Sequence, residues 1–402
     1  MFFSTNVEKG IKSADMIFIS VNTPTKAKGL GAGKSSDLKW VELCARQIAL
    51  LATGYTIVVE KSTMPVRTAA VIKTILFAQQ ESKNNEENKQ TFSVLSNPEF
   101  LAEGTAIRDL QQPDRVLIGG EDDKSIDLLL NIYKKWVPEN LILRTNLWSS
   151  ELSKLAANAF LAQRITSINS ISSLCESTGA DVSEVSKAIG YDTRIGGKFL
   201  KSGPGFGGSC FKKDVLNLVY LCHHFGLPEV AKYWENVISL NDWHQEKIAQ
   251  NVIQKLFGTL SGKKISILGF SFKANTNDTR ESPAIKIAKI FLEEGAHLSI
   301  HDPQVSKDQI CRDLNLSPTE RDSNNNDLQI EGSWNYYDDI YKSLAGADAS
   351  LIITEWDIYK NLDWDKISKL MRNPAWVFDT RRVLDPKIVH KYDINLWQVG
   401  KG

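Results

Sequence analysis

The chain reads Met16-Ile17-Phe18-Ile19-Ser20-Val21, and turn residues follow at positions 22–25. A continuous apolar run of this kind predicts a strand of a parallel sheet that is buried on both faces. Similar runs recur at residues 55–59, 92–95 and 116–119, with helical patterns between them. This alternation predicts a doubly wound parallel sheet, in which ligands bind beyond the carboxyl ends of the strands.

Helix starts in this region are predicted from capping residues and proline. Ser36 or Asp37 is expected to cap a helix that ends near Leu51, because short polar side chains accept hydrogen bonds from the first turn. Pro65 is expected to open the next helix, since proline is tolerated in a first turn. Residues 79–90 are polar and charged without periodicity, which predicts a solvated insertion.

The rest of the chain consists of a helical part and a second α/β part. Helices are predicted at residues 148–178, 182–189, 213–224 and 228–257. A second series of strands is predicted at residues 264–268, 298–301, 350–353 and 376–378, with an asparagine-rich loop near 324–326. The fold class is therefore expected to be α/β: two doubly wound Rossmann-like domains, 1–146 and 259–402, are joined by a central all-helical domain, 147–258.

Composition excludes several classes of function. The 402 residues include 48 basic and 48 acidic side chains, so no excess charge points to nucleic acid or a membrane surface. Five scattered cysteines without CxxC spacing fit a reducing compartment better than a disulfide framework or a zinc site. No apolar run approaches the roughly 18 residues that span a bilayer, and no signal peptide is recognisable. We expect a soluble, cytoplasmic protein without a metal centre.

One cysteine stands in an unusual setting. Cys210 follows Gly205-Phe206-Gly207-Gly208-Ser209 and precedes Lys212-Lys213-Asp214, at the predicted start of a helix. Helix N-termini and nearby cations lower the pKa of a thiol, and the thiolate is its nucleophilic form. These residues alone leave two interpretations open: a reactive Cys210, or a small apolar cysteine packed under a glycine turn. Residues 203–208 also fit the letters GxGxxG, but they follow no predicted strand and so are not a dinucleotide fingerprint.

Two polar pairs have helical spacing. Lys154 and Asn158 are four positions apart and share one face of a predicted helix, among apolar neighbours that would leave a polar pair in need of partners. Glu99 and Glu103 have the same spacing after a predicted helix start at Asn97. The simpler alternatives are a solvated lysine for the first pair and helix-dipole partners for the second.

Six ordered segments resemble the nucleotide-sugar dehydrogenases, the UDP-glucose/GDP-mannose dehydrogenase family. The cysteine loop is one, and the other five are Ser20-Val21-Asn22-Thr23-Pro24-Thr25, Glu60-Lys61-Ser62-Thr63, Asn97-Pro98-Glu99-Phe100-Leu101-Ala102-Glu103-Gly104, residues 151–160, and Gly269-Phe270-Ser271-Phe272-Lys273 running to Asp278-Thr279-Arg280-Glu281-Ser282. The resemblance covers essentially the whole chain.

The resemblance implies an NAD-dependent enzyme that oxidises the C6 hydroxyl of UDP-glucose twice, giving UDP-glucuronate. It implies that Cys210 forms a thiohemiacetal and then a thioester, while Lys154 and Asn158 stabilise the oxygen that becomes anionic. Glu99 would transfer protons during thioester hydrolysis, and Thr63 and Asp214 would hold water or hydroxyl groups near the thiol. GDP-mannose is the alternative substrate.

The resemblance also implies two binding sets and an oligomer. Substrate contacts would be Glu99, Phe100, Leu101, Ala102, Glu103, Lys154, Asn158, Arg194, Lys201, Gly203, Gly205, Phe206, Gly207, Phe272, Lys273 and Arg381. Cofactor contacts would be Val21, Asn22, Thr23, Pro24, Thr25, Ser62, Thr63, Glu103, Lys213 and Arg280. Arg194 would reach the substrate of a neighbouring subunit, which predicts dimers that assemble further, into hexamers in the family.

One departure from the family concerns the N-terminal domain. The family begins with a strand, a GxGxxG turn and an acidic residue that hold NAD, whereas Phe2-Phe3-Ser4-Thr5 here resembles the family's third strand. The first βαβ unit is therefore expected to be missing and the edge of the run at Met16 uncovered. Two functions stay open: the dehydrogenase, or a non-catalytic isoform that binds UDP-sugar or joins full-length subunits.

Overall fold

The computed structural model describes residues 2–82, 90–319 and 332–402. Its first elements are α1 (Val7–Lys12), β1 (Met16–Ile19), α2 (Lys39–Leu51), β2 (Tyr55–Glu60), α3 (Thr68–Ser82), β3 (Thr91–Ser96), α4 (Ala106–Gln111), β4 (Val116–Gly119), α5 (Asp123–Tyr133) and β5 (Ile142–Thr145). Four helices follow: α6 (Leu147–Thr178), α7 (Val182–Gly190), α8 (Phe211–His224) and α9 (Pro228–Lys255). The last part contains β6 (Lys264–Leu268), α10 (Pro283–Glu293), β7 (His297–His301), α11 (Lys307–Leu314), β8 (Ser333–Tyr336), α12 (Ile340–Leu344), β9 (Ala349–Ile352), α13 (Trp364–Leu370), β10 (Ala375–Asp379), α14 (Pro386–Val389) and β11 (Ile394–Gln398).

The first compact unit, residues 1–159 and 213–234, contains a five-stranded sheet in the order β1-β2-β3-β4-β5. Its pairs are parallel apart from β3 and β4, which pair antiparallel through Ser96 and Gly119. Strand β2 is buried from Thr56 onward, as its apolar run predicts. Strand β1 lies at one edge of the sheet. This is the edge, along the run that begins at Met16, that was expected to be uncovered.

Several predicted boundaries in this unit are wrong. Helix α2 begins at Lys39 with Leu38 at its N-cap position, one residue later than a cap at Asp37 predicts. The Asp37 carboxylate nevertheless accepts from the backbone N–H of Lys39, the first residue of the helix. Helix α3 begins at Thr68 rather than Pro65, since Arg67 has a φ of 78° and interrupts the turn between them. Residues 2–5 form no strand.

Two predicted loops lie wholly or partly outside the described residues. Helix α3 continues to Ser82, so the first residues of the insertion predicted at 79–90 are helical, and residues 83–89 lie outside the description. The asparagine-rich loop near 324–326 also lies outside it.

The segment that contains Glu99 and Glu103 is a loop, contrary to the predicted helix start at Asn97. The Glu99 carboxylate accepts from the Leu101 backbone N–H at 2.7 Å, and such local side-chain bonds compete with helix formation. Helix α4 begins only at Ala106, so the two glutamates do not share a helical face.

The second compact unit, residues 160–212 and 235–402, contains a six-stranded sheet in the order β11-β10-β9-β6-β7-β8, with every strand pair parallel. Its core packs the buried faces of β6, β7 and β9 against α10 and the last turns of α9. The α/β class with two Rossmann-like sheets and a central helical region is confirmed. Within the described ranges, no helix combines the length and the apolar character needed to cross a bilayer.

Candidate active site

In the first unit, helix α6 presents two buried polar side chains that both have partners. Lys154 is 4% exposed, and its Nζ lies 3.2 Å from Oε1 of Glu99. Asn158 is 6% exposed, and its Nδ2 donates to Oδ2 of Asp214 at 2.6 Å. The spacing of four positions therefore places an ammonium group and an amide on one buried face, as their sequence predicted.

Asp214 is the most deeply buried of these groups. It lies in the first turn of α8 and is 1% exposed. Burial raises the pKa of this carboxyl, while the Lys213 ammonium and the Asn158 hydrogen bond act in the opposite direction. Its second oxygen, Oδ1, has no hydrogen-bond partner among the residues that the structure describes, although the Lys213 Nζ lies 3.9 Å away. That oxygen is a vacant acceptor beside a buried ammonium–amide face.

In the loop after β3, Glu99 pairs with Lys154, and the ring of the next residue, Phe100, contacts two cations. The Phe100 ring centroid lies 3.7 Å from the guanidinium carbon of Arg115 and 5.4 Å from Nζ of Lys154. Because Glu99 also accepts from the Leu101 N–H, its carboxylate is fixed by two kinds of donor. Ala102 and Glu103 follow in the same loop.

A third group gathers at the carboxyl ends of β1 and β2. The Thr23 hydroxyl donates to the Thr63 carbonyl at 2.9 Å, and the Ser62 hydroxyl donates to the Val21 carbonyl at 2.6 Å. Lys213 Nζ donates to the Thr23 carbonyl at 3.3 Å. These residues match half of the predicted cofactor set, and Asn22, Pro24 and Thr25 continue the same loop.

In the second unit, the glycine loop that precedes Cys210 is held by side chains distant in sequence. The Gly203 N–H donates to Oδ1 of Asn169 at 3.0 Å, and the Gly203 carbonyl lies 2.9 Å from Nε2 of His244. The Asn241 side chain bonds both the N–H and the carbonyl of Phe206. The loop is therefore a fixed and buried backbone cradle.

Close approach explains the glycines of this loop. Gly205 has a φ of 119°, and a Cβ there would lie 2.8 Å from Oδ1 of Asn241. A Cβ at Gly207 would overlap the Glu281 carbonyl oxygen.

Three predicted substrate residues meet beside this cradle. Arg381 Nη2 donates to the Phe272 carbonyl at 2.9 Å, and its Nε donates to the Ile353 carbonyl at 2.6 Å. Lys273 Nζ lies 5.5 Å from the Phe272 ring centroid. A Cβ at Gly203 would lie 3.4 Å from Nη1 of Arg381, so the arginine adjoins the glycine loop.

Cys210 itself is exposed and immediately precedes helix α8. Its sulfur lies 3.5 Å from the Ser209 hydroxyl, and the neighbouring Lys212 is paired with Glu281 at 2.8 Å. The predicted position at a helix start is confirmed. The exposure contradicts the alternative of a cysteine packed under a glycine turn, because the thiol faces solvent rather than a core.

The side chains of three predicted ligand contacts take no part in this cluster, although the Arg280 carbonyl accepts from the Gly208 N–H at 2.8 Å. Arg194 and Arg280 are exposed and each forms an ion pair two residues away, with Asp192 and Asp278. Lys201 lines a different cavity, with Arg382 and Lys401. Their roles in binding remain predictions.

Sequence reasoning missed a buried network next to Glu99. Lys61 Nζ donates to Oδ1 of Asn97 at 3.0 Å and to the Tyr133 hydroxyl at 3.2 Å, and that hydroxyl donates to Oδ1 of Asn97 at 2.6 Å. Burial lowers the pKa of Lys61 to about 8, against the attraction of Glu99. The sequence signal that could have identified Lys61 is its position directly after a buried strand. Asn241 and His244 gave no signal, since neither stands in a recognisable motif.

Parallel α/β sheets with polar groups at the carboxyl ends of their strands define a class of nucleotide-binding enzymes. Three models of one family match consecutive parts of the chain. They are described as the NAD binding domain (residues 1–137), the central domain (148–243) and the UDP binding domain (266–386) of the UDP-glucose/GDP-mannose dehydrogenase family. The chain belongs to this family. It is an oxidoreductase of that family, and its cofactor is NAD.

Relatives are similar over nearly the whole chain. UDP-glucose 6-dehydrogenase of Pongo abelii is 55% identical over 96% of this chain and 76% of its own length. UDP-glucose 6-dehydrogenase 2 of Arabidopsis thaliana is 51% identical over 100% of this chain and 84% of its own length. A UDP-glucose dehydrogenase structure from Pyrobaculum islandicum has a TM-score of 0.81 at 30% identity, covering 100% of this chain and 83% of that one.

Proposed function

We propose that this protein oxidises the C6 hydroxyl of UDP-glucose to a carboxylate, with two equivalents of NAD, through a covalent intermediate on Cys210. The observation that supports it best is the buried face of α6, where Lys154 and Asn158 each have an acidic partner. Relatives that are 51–55% identical are named UDP-glucose 6-dehydrogenases, which favours UDP-glucose over GDP-mannose.

The residues at the ends of β1 and β2 fit NAD. Thr23 is 3% exposed, and its carbonyl and hydroxyl are within reach of the Lys213 ammonium, so the edge offers both donors and acceptors to an amide or a ribose. Residues 21–25, Ser62, Thr63, Glu103, Lys213 and Arg280 would hold the cofactor. When bound, NAD accepts a hydride from the substrate carbon in each oxidation.

We assign substrate binding to the glycine loop and its neighbours. The fixed backbone of residues 203–207 would hold the uridine and sugar, as buried amides bind polar groups without further ordering. The Lys273 ammonium supplies a charge for the diphosphate. Arg381 has two of its N–H groups committed to carbonyls, so its positioned guanidinium would contribute through the remaining donors.

Lys154 and Asn158 would act on the oxygen at C6. In each oxidation the carbon loses a hydride and its oxygen loses a proton, so negative charge develops on oxygen. A buried ammonium stabilises that charge more strongly than an exposed one, since the surroundings are poorly polarisable. Asn158 is already oriented by Asp214 and would donate from the same face.

Cys210 would join the two oxidations. Its sulfur adds to the aldehyde carbon and the aldehyde oxygen takes up a proton, which gives a thiohemiacetal. The second oxidation converts this to a thioester. Glu99 then takes a proton from water, the hydroxide attacks the thioester carbonyl, and the thiol leaves with a proton. Thr63 and the vacant Oδ1 of Asp214 are assigned to positioning the water or hydroxyl group.

We further propose a cytoplasmic homo-oligomer. The cysteines of the described residues are all free thiols, which supports a reducing compartment. Arg194 is exposed on the loop after α7 and would extend toward a second subunit.

The test is turnover of the purified protein. UDP-glucose with NAD should yield two NADH for each UDP-glucuronate, followed by absorbance and by chromatography of the product. GDP-mannose should give a much lower kcat/KM. Binding of UDP-glucose without any NADH would instead support a non-catalytic, UDP-sugar-binding role.

A further inference from the structure

The second unit contains a cavity of about 700 Å³ that is separate from the substrate cluster described above. Its wall comes from α7 and the loop after it, from residues 200–202, and from the segment between Arg382 and Lys401. Lys201 is the one predicted substrate residue in this wall, whereas Phe272, Lys273 and Arg381 do not line it. Cavities of this size accommodate a nucleotide-sized molecule.

The charge of this cavity is strongly positive. Lys187, Lys201 and Lys401 line it, and among the described residues none of the three has an ion-pair partner. Its acidic residue, Asp181, is neutralised by Arg382, whose Nη2 lies 2.8 Å from Oδ2. Three uncompensated ammonium groups around one concave surface attract a polyanion.

A buried hydroxyl independently points to a ligand. Ser202 lines the cavity and is 4% exposed, yet its Oγ has no hydrogen-bond partner within residues 2–82, 90–319 and 332–402. A buried polar group without a partner costs free energy, so such a group at a cavity wall is satisfied when a ligand or water occupies it. The apolar side chains of Val182, Leu200 and Leu384 form other parts of the wall and suit an uncharged ring.

We propose that this cavity binds a phosphate-bearing small molecule of nucleotide size. Lysine ammonium groups bind phosphate as point charges, the Ser202 hydroxyl donates to a phosphate or sugar oxygen, and the apolar wall packs on the nucleoside part. Two residues of the cavity wall are direct neighbours in sequence of residues in the substrate cluster. Ser202 precedes Gly203 of the glycine loop, and Arg382 follows Arg381.

The experiment measures binding by calorimetry on the full chain, with ATP and inorganic triphosphate as separate probes and with UDP-glucose held at saturation. ATP should bind more tightly than inorganic triphosphate, because the apolar wall packs on the nucleoside part. Equal binding of the two would overturn the assignment to a nucleotide-sized ligand. The double variant Lys187→Gln/Lys401→Gln should weaken ATP binding by about 10²-fold, since each of the two lost charge-assisted contacts is worth roughly tenfold.

Two further variants separate binding from folding. Ser202→Ala should weaken ATP several-fold without a change in net charge, while Lys289→Gln, an exposed lysine outside the cavity, should leave ATP affinity unchanged. Absence of ATP binding to the unaltered protein, or equal affinity in the double variant, would overturn the proposal. Loss of ATP binding once UDP-glucose is added would also overturn it, because the probe would then occupy the substrate site. None of these results depends on turnover.

Discussion

The amide of Asn158 donates a 2.6 Å hydrogen bond to the carboxylate of Asp214, and both side chains are buried. Asn158 lies on α6 and Asp214 in the first turn of α8, so this bond fixes an amide against a carboxylate across 56 positions of sequence. In the described part of the chain, the second carboxylate oxygen of Asp214 has no hydrogen-bond partner. A buried carboxylate oxygen without a hydrogen-bond partner costs folding free energy. We therefore expect Asp214 to serve function at the expense of stability.

Asp214→Asn should therefore separate stability from activity. Burial raises the pKa of Asp214, so its ionised form costs folding free energy above that raised pKa, and the cost is absent below the unfolded pKa. The variant should have a melting temperature at pH 7 at or above that of the unaltered protein, with a smaller difference in acid. Its turnover should fall by about 10²-fold, in the range for a reacting group that is no longer held in position. Exposed Asp357→Asn is the control, and unchanged turnover in Asp214→Asn would contradict the assignment.

Cys210→Ser should abolish net formation of the carboxylate product. Serine has nearly the same size but is a far weaker nucleophile near neutral pH, so we expect a loss of about 10³-fold or more. Product formation would be measured by chromatography. Cys311→Ser, a partly buried thiol elsewhere in the second unit, should retain turnover. Steady-state turnover that survives Cys210→Ser would exclude the covalent intermediate.

Glu99→Gln should cause the thioester to accumulate. The step that needs a proton acceptor for water comes last, and glutamine keeps the shape of the side chain without accepting that proton. Intact-protein mass spectrometry after mixing with UDP-glucose and NAD should show an adduct of substrate mass. The double variant Glu99→Gln/Cys210→Ser is the control and should show none. Normal turnover without an adduct would move the base elsewhere, with Asp214 the next candidate.

The buried Lys61 should make the free energy of unfolding increase with pH in the alkaline range. Burial lowers its pKa from 10.5 to about 8, so between these values the unfolded chain holds a proton that the folded protein lacks. Stability contributed by this group therefore rises with pH from about 8 to 10.5, and its charged form costs folding free energy below pH 8.

The matching variant is Lys61→Met, with exposed Lys391→Met as control. We would measure the free energy of unfolding of both proteins with denaturant at several pH values. From pH 8 to 10.5, the value for the unaltered protein should rise relative to that for Lys61→Met by roughly 1–3 kcal/mol. A difference that does not change with pH would show that Lys61 stays charged in the fold.

The sequence predicts an element or a site residue well when the pattern that marks it lies within a few neighbouring positions of the chain. The buried strands β2, β4 and β6 were predicted closely, since burial on both faces leaves a continuous apolar run. Strands β5, β8 and β11 were missed. They lie at sheet edges and mix buried residues with exposed or partly exposed ones, which removes that signal.

The candidate site divides in the same way. Lys154 and Asn158 were found because helical spacing is visible in sequence, and Cys210 was found from its glycine-rich setting at a predicted helix start. Resemblance supplied the role of Glu99. Asn241 and His244, which hold the glycine loop, lie 35 and 41 positions from the residues they contact. No local pattern marks such partners, so only the folded chain reveals them.

Gly207→Ala tests whether the glycine loop is a rigid cradle for the substrate. The added Cβ would overlap the Glu281 carbonyl oxygen and lie 2.9 Å from Cβ of Phe272, so the loop must shift away from the predicted substrate residues. Overpacking of this kind typically costs about 1–3 kcal/mol, and we expect KM for UDP-glucose to rise at least about tenfold. Gly197→Ala is the matched control, because a Cβ there meets nothing nearer than 4.0 Å, at the Gly190 carbonyl oxygen. Steady-state kinetics on both variants provide the comparison. Equal KM values would mean that the loop can relax without disturbing the substrate, and the assignment of residues 203–207 to substrate binding would fall.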